Sequence, residues 1–462
     1  MMFSLWGNFD YEYLLNLSCY IEQDIMRTMS NCTQYTLFPD VDDVRKSSKA
    51  TSSTFTDNMK LPVHRWYRYS AGFSAAWVES LIREVKSSSP CDTRVLDPFA
   101  GSGTTLLAAE DAAVKSCGIE AHPFISRIAQ AKLLRSSGVD RFRKFAARIL
   151  QNAVDLKPET EHYPPLIHKC YSAQSLDRLD VLRRAVEFHQ NDSAEWQLVW
   201  LALVSSLRIS SYVNTAQWQY ILPNKQKKCH LDPFHAFNKN IEMFSRDMRI
   251  SQMKTNEYPA ELLNTDARTC VGVPDSYATL VITSPPYPNN YDYADATRLE
   301  MSFFGDIINW GDLQSKIRSR LIRSCSQHVP QKAVDLQAVL ASDELEPIRK
   351  EITQVCEKLA EIRLTKGGRK TYHLMVACYF FDLSKTWQAL RRVCDSPSRL
   401  CFVVGDSAPY GVYVPVIEWL GALAMAAGFK AWRFDKTRDR NVKWKNRKHR
   451  VPLCEGRLWV DG

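Results

Sequence analysis

From residue 61 onward the apolar positions fall into short runs and helical stripes that alternate. A helix-like stripe covers 75–85, and a short apolar run at 94–96 reads as a strand. A glycine-bearing turn and a helix-like segment at 106–113 follow, then a second strand, 116–119, that ends in Glu120. Strand, turn, helix, strand predicts the opening of a doubly wound, mostly parallel α/β sheet. The alternation then stops. Residues 124–262 are mostly helical in pattern, and 196–207 are strongly apolar. The sheet pattern resumes at 280–283, and a charged, helix-like block at 306–368 interrupts it again. A helix at 372–393, a strand at 400–404, a helix at 414–427 and a final strand at 432–434 complete it. The economical prediction is one α/β domain with two helical insertions.

The rest of the chain divides around that domain. Residues 1–60 form an N-terminal extension without a clean period, and 46–57 are Ser/Thr-rich like a linker. Residues 61–123 are the first half of the sheet domain, 124–262 an insertion, 263–435 the second half and 436–462 a basic tail. The composition is that of an ordinary globular protein, with 45% hydrophobic and 24% charged residues. The 13 cysteines include no C-x-x-C pair, which argues against a zinc ribbon, and no metal site is expected. Early acids, Asp10 and Glu12, argue against a signal peptide, and no apolar run is long enough to span a bilayer. An intracellular protein without membrane partners is the expectation.

Charge changes the picture more than composition does. The net charge is +9, and from 436 to 450 eight Lys or Arg residues stand beside one acid. Within this run Lys443, Lys445, Arg447, Lys448 and Arg450 are the expected phosphate contacts. A second patch, Lys225, Lys227 and Lys228, follows Trp218 and Tyr220. Either patch alone reads as a solvated face as readily as a binding surface. Basic residues interleaved with aromatics also suit a nucleic-acid backbone and unstacked bases.

Two motifs carry the chemistry. Asp97-Pro98-Phe99-Ala100-Gly101-Ser102-Gly103-Thr104-Thr105 joins the first strand to its helix. Its glycines allow close backbone approach to a ligand, and its hydroxyls and N–H groups sit at a helix start. It is neither a G-x-G-x-x-G nor a Walker loop, and by itself reads first as a tight turn. Glu120 changes that balance: it ends the second strand seventeen residues after Gly103, where nucleoside sites place a ribose-binding acid about 20 residues on. The second motif, Ser284-Pro285-Pro286-Tyr287, follows an apolar strand. Pro-Pro alone is a strand-ending turn. Here the Ser284 oxygen and the Pro285 carbonyl offer two acceptors on a backbone stiffened by proline, and Tyr287 offers an aromatic face for stacking.

Together the two motifs resemble those of the amino-group DNA methyltransferases, over roughly 61–125 and 263–435. The resemblance implies an α/β S-adenosylmethionine-dependent methyltransferase fold and double-stranded DNA as the partner. It implies catalysis by Ser284, Pro285, Pro286 and Tyr287. It also implies a cofactor pocket built from Phe73, Ser74, Asp97, Phe99, Gly101, Gly103, Thr104, Thr105, Glu120 and Asp266. In that pocket Asp97 would face the methionine amine and Asp266 the adenine amine. The segment 400–406 resembles the strand and turn that wall the target-base pocket.

Ser at the head of the tetrad accompanies cytosine N4 more often than adenine N6, so N4-methylcytosine is the expected product. N6-adenine methylation, RNA methylation and a catalytically silent nucleic-acid-binding scaffold are the alternatives. The cofactor motif precedes the catalytic one here, which makes 124–262 the candidate for DNA target recognition. The resemblance leaves room for a separate restriction endonuclease as partner, and no built-in nuclease is expected.

Overall fold

The computed structural model describes residues 55–69, 72–89, 92–216, 220–254, 257–329, 334–368, 370–440 and 450–462. Seven strands form the main sheet in the order β5-β2-β1-β6-β7-β9-β8. They are β1 (Arg94–Asp97), β2 (Lys115–Ile119), β5 (Glu261–Leu263), β6 (Ala278–Thr283), β7 (Cys394–Gly405), β8 (Ala431–Asp439) and β9 (Cys454–Asp461). The pairings β5–β2, β2–β1, β1–β6 and β6–β7 are parallel, while β9 runs antiparallel between β7 and β8. The mostly parallel sheet agrees with the pattern read from the sequence.

Strand alternation explains the two-sided burial. Leu96, Val281, Phe402 and Val460 face one layer, which contains the helices Tyr372–Val393 and Val416–Ala426. Val95, Leu280, Ile282, Val403 and Trp459 face the other, which contains Ala75–Ser88 and Thr104–Asp111. Parallel strands covered on both faces read as continuous apolar runs, which is why β6 was legible. The chain winds outward from β1 through β2 to β5, then returns to β6 on the other side of β1. Ligands of doubly wound sheets bind in the crevice at such a reversal.

The first insertion is a helical layer whose core it shares with residues 63–69 and 294–321. Its central helix, Ala194–Ser210, buries Leu198 through Val204 consecutively, as a helix enclosed on all sides must. Ser193 caps it, accepting from Trp196 N. A small hairpin, β3 (Val213–Thr215) and β4 (Ile221–Gln226), projects from this layer. The segment His64–Trp66 is anchored there too. The buried Asp247 carboxylate accepts from Val63 N (3.0 Å), Arg65 Nη2 (2.5 Å) and Trp66 Nε1 (2.9 Å).

Two features differ from the sequence expectation. Residues 436–462 are not a tail: Lys436–Asp439 belong to β8, and β9 lies inside the sheet between β7 and β8. Glu455 and Arg457 gave β9 a polar look, but Leu458 and Val460 fill one layer and Trp459 the other. Gly456 is required there, because a Cβ would collide with the Asp435 carbonyl and the Phe434 ring. The sheet also resumes earlier than Leu280, since β5 is a three-residue edge strand too short to show a period.

Candidate active site

The crevice between the tips of β1, β2 and β6 is a cleft of about 790 Å³ including its open mouth. It brings both sequence motifs together. Phe73, Phe99, Gly101, Thr104, Glu120 and Asp266 line it from the expected cofactor set, and Ser284 and Pro286 from the tetrad.

Glu120 organises the cofactor side. Its Oε2 accepts from Gly101 N and its Oε1 from His122 N, each at 2.8 Å. Burial raises its pKa to about 7, against the downward pull of those two N–H groups. Gly101 has φ +54°, and a Cβ there would stand 3.2 Å from Tyr69 Cε1. The bare backbone at Gly101 is therefore part of the cleft's shape.

Other residues of that set stand behind the cleft wall. Asp97 Oδ1 accepts from Thr283 Oγ1 (2.6 Å) and Phe99 N (3.0 Å), and its Oδ2 from Thr105 Oγ1 (2.5 Å). Asp97 and Thr105 thus knot the tips of β1 and β6 to the helix Thr104–Asp111. Neither lines the cleft; the donors that meet the Asp97 oxygens come from Thr283, Phe99 and Thr105. Burial lifts Asp97 to about 6 despite these three bonds. Ser74 caps the helix Ala75–Ser88, accepting from Trp77 N, and a Cβ on Gly103 would point at Ala129, which does not line the cleft. Asp266 lines the cleft, but its carboxylate is forked by Arg268 Nε and Nη2 (2.9 and 2.6 Å). Arg268 is held in turn by the buried Asp382, at 3.4 Å.

On the catalytic side, Ser284 Oγ and Tyr287 Oη both donate to Val403 O, each at 3.3 Å. Pro285 is buried beneath the turn, and burial pushes the Tyr287 phenol well up. The loop beyond is fastened by the buried Asp292. Its carboxylate accepts from Arg318 Nη2 (2.5 Å) and faces His328 Nε2 (3.1 Å). Against the upward push of burial, the His328 hydrogen bond and the Arg318 charge hold Asp292 down at about 2. Asp292, Cys325 and His328 converge as metal ligands do. Each is spent on protein partners instead: His328 Nδ1 faces Ile322 O and Cys325 Sγ faces Asn290 O.

Sequence reasoning missed Tyr69, His122, Tyr293 and Arg320–Ile322, all of which line the cleft. Arg320 to Ile322 come from the charged second insertion, whose composition gave no sign of a site.

The expected DNA contacts separate. Lys225 and Lys228 are exposed on and beside β4. Lys227 is withdrawn: its Nζ donates to Arg208 O at 2.5 Å, and burial lowers its pKa to about 8. The hairpin touches the catalytic loop, since Tyr220 Oη accepts from Asp292 N at 2.6 Å. Arg450 is exposed, whereas Trp218, Lys443, Lys445, Arg447 and Lys448 lie outside the described residues. Among the described residues no helix is long and apolar enough to cross a membrane.

Comparison with known proteins adds independent findings. A family model described as DNA methylase, N6_N4_Mtase, matches residues 14–131. The Type II methyltransferase M.BsoBI of Geobacillus stearothermophilus is 26% identical over 416 residues, covering 82% of this chain and 80% of its own. The Type II methyltransferase M.AvaI of Nostoc sp. is 24% identical over 446 residues, covering 84% and 87%. A protein of the same name from Anabaena variabilis aligns equally well. No solved structure matches the chain significantly.

Proposed function

Since the chain belongs to the amino-group DNA methyltransferases, we propose that it methylates the N4 amine of a flipped cytosine in double-stranded DNA. S-adenosylmethionine is the proposed methyl donor. The observation that carries the reading is the shared cleft, which Glu120, Gly101 and Ser284 all line.

The residues present fit that cofactor. A buried carboxylate suits ribose hydroxyls, a glycine backbone leaves room that a Cβ would fill, and Phe73 and Phe99 offer apolar surface. Glu120 would hold the ribose and Asp266 would stand by the adenine. When bound, the cofactor supplies an electrophilic methyl group on its sulfonium.

The protein's task is then orientation more than base catalysis. The cytosine amine is a weak nucleophile because its lone pair is conjugated into the ring. Ser284 gives its own hydrogen to Val403 O, so its oxygen lone pairs remain free to accept one amine hydrogen. The Pro285 carbonyl would accept the other. Both bonds favour a tetrahedral nitrogen whose lone pair points at the methyl group. Tyr287 would stack on the flipped base.

Neutral Ser284 at the head of the tetrad favours cytosine over adenine through the family tendency alone. The exposed Lys225 and Lys228 support phosphate contact from the hairpin beside the catalytic loop. A restriction endonuclease encoded separately is the proposed partner of the modification. The test is expression in a host devoid of DNA methylation, followed by sequencing that maps modified bases. N4-methylcytosine at one recurring sequence is the expected result, and N6-methyladenine would reassign the base.

A further inference from the structure

Arg440 lies just past the end of β8, and its backbone N–H donates to Leu453 O at 2.8 Å. Its side chain runs back across the tip of β7. A Cβ on Gly405 would stand 3.0 Å from Arg440 Cδ and 3.2 Å from Nη1, so the arginine stem lies in the trough that the missing side chain leaves. Nη1 donates to Asp406 O at 2.6 Å, and the guanidinium carbon sits 5.1 Å from the centre of the Tyr287 ring. Ion pairing holds this seat only loosely: Glu455 Oε2 lies 3.8 Å from Arg440 Nε, while Arg438 Nη2 takes the other oxygen, Oε1, at 2.7 Å.

A guanidinium is planar and stacks on aromatic faces, as a nucleobase does. A base slipped between the ring and the guanidinium would need two van der Waals layers, about 7 Å. At 5.1 Å that slot is shut. On the reading that Tyr287 is the platform for the target base, we propose that Arg440 is a placeholder. It covers the stacking face of Tyr287 while no base is flipped and swings off the ring when one enters. Displacing it subtracts from the gain of seating a base, so a base extruded without its other contacts is held poorly. Arg440 is thereby a specificity-determining residue.

The test uses the full chain with S-adenosylhomocysteine bound and two duplexes built on the mapped methylation sequence. One carries the target base mismatched, so that extrusion is cheap; the other is abasic at that position. The ratio of their dissociation constants, abasic over mismatched, measures the gain from seating the base. Arg440→Ala should raise this ratio about threefold to tenfold, the size of the cation–π contact released. Arg440→Lys, which keeps a cation on the ring, should stay near the wild-type ratio. A ratio unchanged or lowered in Arg440→Ala overturns the placeholder. Tyr287→Leu separates this from its premise. A ratio that survives Tyr287→Leu puts the base elsewhere, whereas one that falls with Tyr287→Leu but ignores Arg440→Ala rejects the placeholder alone.

Discussion

Ser284 and Tyr287, three residues apart, direct their hydroxyls at the same atom, the carbonyl oxygen of Val403, each across 3.3 Å. With its hydrogen on Val403 O, Ser284 keeps oxygen lone pairs that can accept from a group in the cleft. Ser284→Ala should therefore lower methyl transfer by about 10²- to 10³-fold, the cost of removing one aligned hydrogen-bonding group from a transition state. Cofactor affinity by calorimetry should stay nearly unchanged. Tyr287→Phe keeps the ring and loses only the hydroxyl's bonds to Val403 and Ser284, so its effect should be far smaller. Wild-type turnover in Ser284→Ala would remove Ser284 from the chemistry.

The Glu120 carboxyl titrates at about 7 because burial disfavours its charge, a push that the Gly101 and His122 N–H groups only partly offset. Its ionised form is the better acceptor for ribose hydroxyls. Cofactor affinity should be flat above neutrality and fall as pH drops below it, approaching about tenfold per unit once the acid form dominates. Calorimetric titration across roughly pH 5.5 to 8.5 reads this directly. Glu120→Gln should weaken binding at high pH and flatten the profile. A profile unchanged in that variant would assign the proton elsewhere, with Asp97, which titrates at about 6, the first candidate.

The two glycines of the cofactor turn should respond differently. A side chain on Gly101 meets the Tyr69 ring, which also lines the cleft, so Gly101→Val should abolish cofactor binding. Gly103 has φ +88°, and its Cβ would make an ordinary 3.5 Å contact with Ala129. Gly103→Ala should thus cost about 1–2 kcal/mol of stability through backbone strain while leaving most cofactor affinity intact. Thermal unfolding and calorimetry on the pair distinguish strain from obstruction. Equal loss of binding in both variants would contradict the separation.

Residues that announce themselves by local chemistry were legible in the sequence. Gly101 of the glycine turn, Glu120 at a strand end, and Ser284 and Pro286 of the tetrad meet in one cleft, and β1, β2, β6 and the helix Tyr372–Val393 fall where the apolar pattern puts them. What the sequence hid depends on neighbours distant along the chain. Nothing local to Asp97 shows that Thr283, 186 residues away, donates to its carboxylate. Lys227 looks like a phosphate contact until Arg208 O is found on its ammonium. Strand β9 alternates charged and apolar residues too briefly to reveal a place inside the sheet, and Arg320–Ile322 reach the cleft only through the folding of the second insertion.

The hairpin lysines give a test of DNA contact. Lys225 and Lys228 are exposed, so reversing both charges should weaken binding to all duplexes alike. It should also reduce the slope of log affinity against log salt by about 2, near 0.9 for each phosphate no longer neutralised. Lys227→Ala should leave the slope unchanged and loosen the hairpin instead, since its ammonium serves Arg208 O. Fluorescence anisotropy at several salt concentrations checks both. A slope unmoved by the double reversal would make the hairpin a solvated face.

The central claim is that one cleft joins the cofactor turn to Ser284 and delivers a methyl group to a cytosine amine in DNA. Nucleoside mass spectrometry tests it most directly, on unmethylated duplex DNA incubated with the protein and S-adenosylmethionine bearing a deuterated methyl group. Label in N4-methylcytosine, lost in Ser284→Ala, is the result expected. Label in N6-methyladenine would contradict the base assignment, and label only in RNA, or nowhere, would contradict the claim itself.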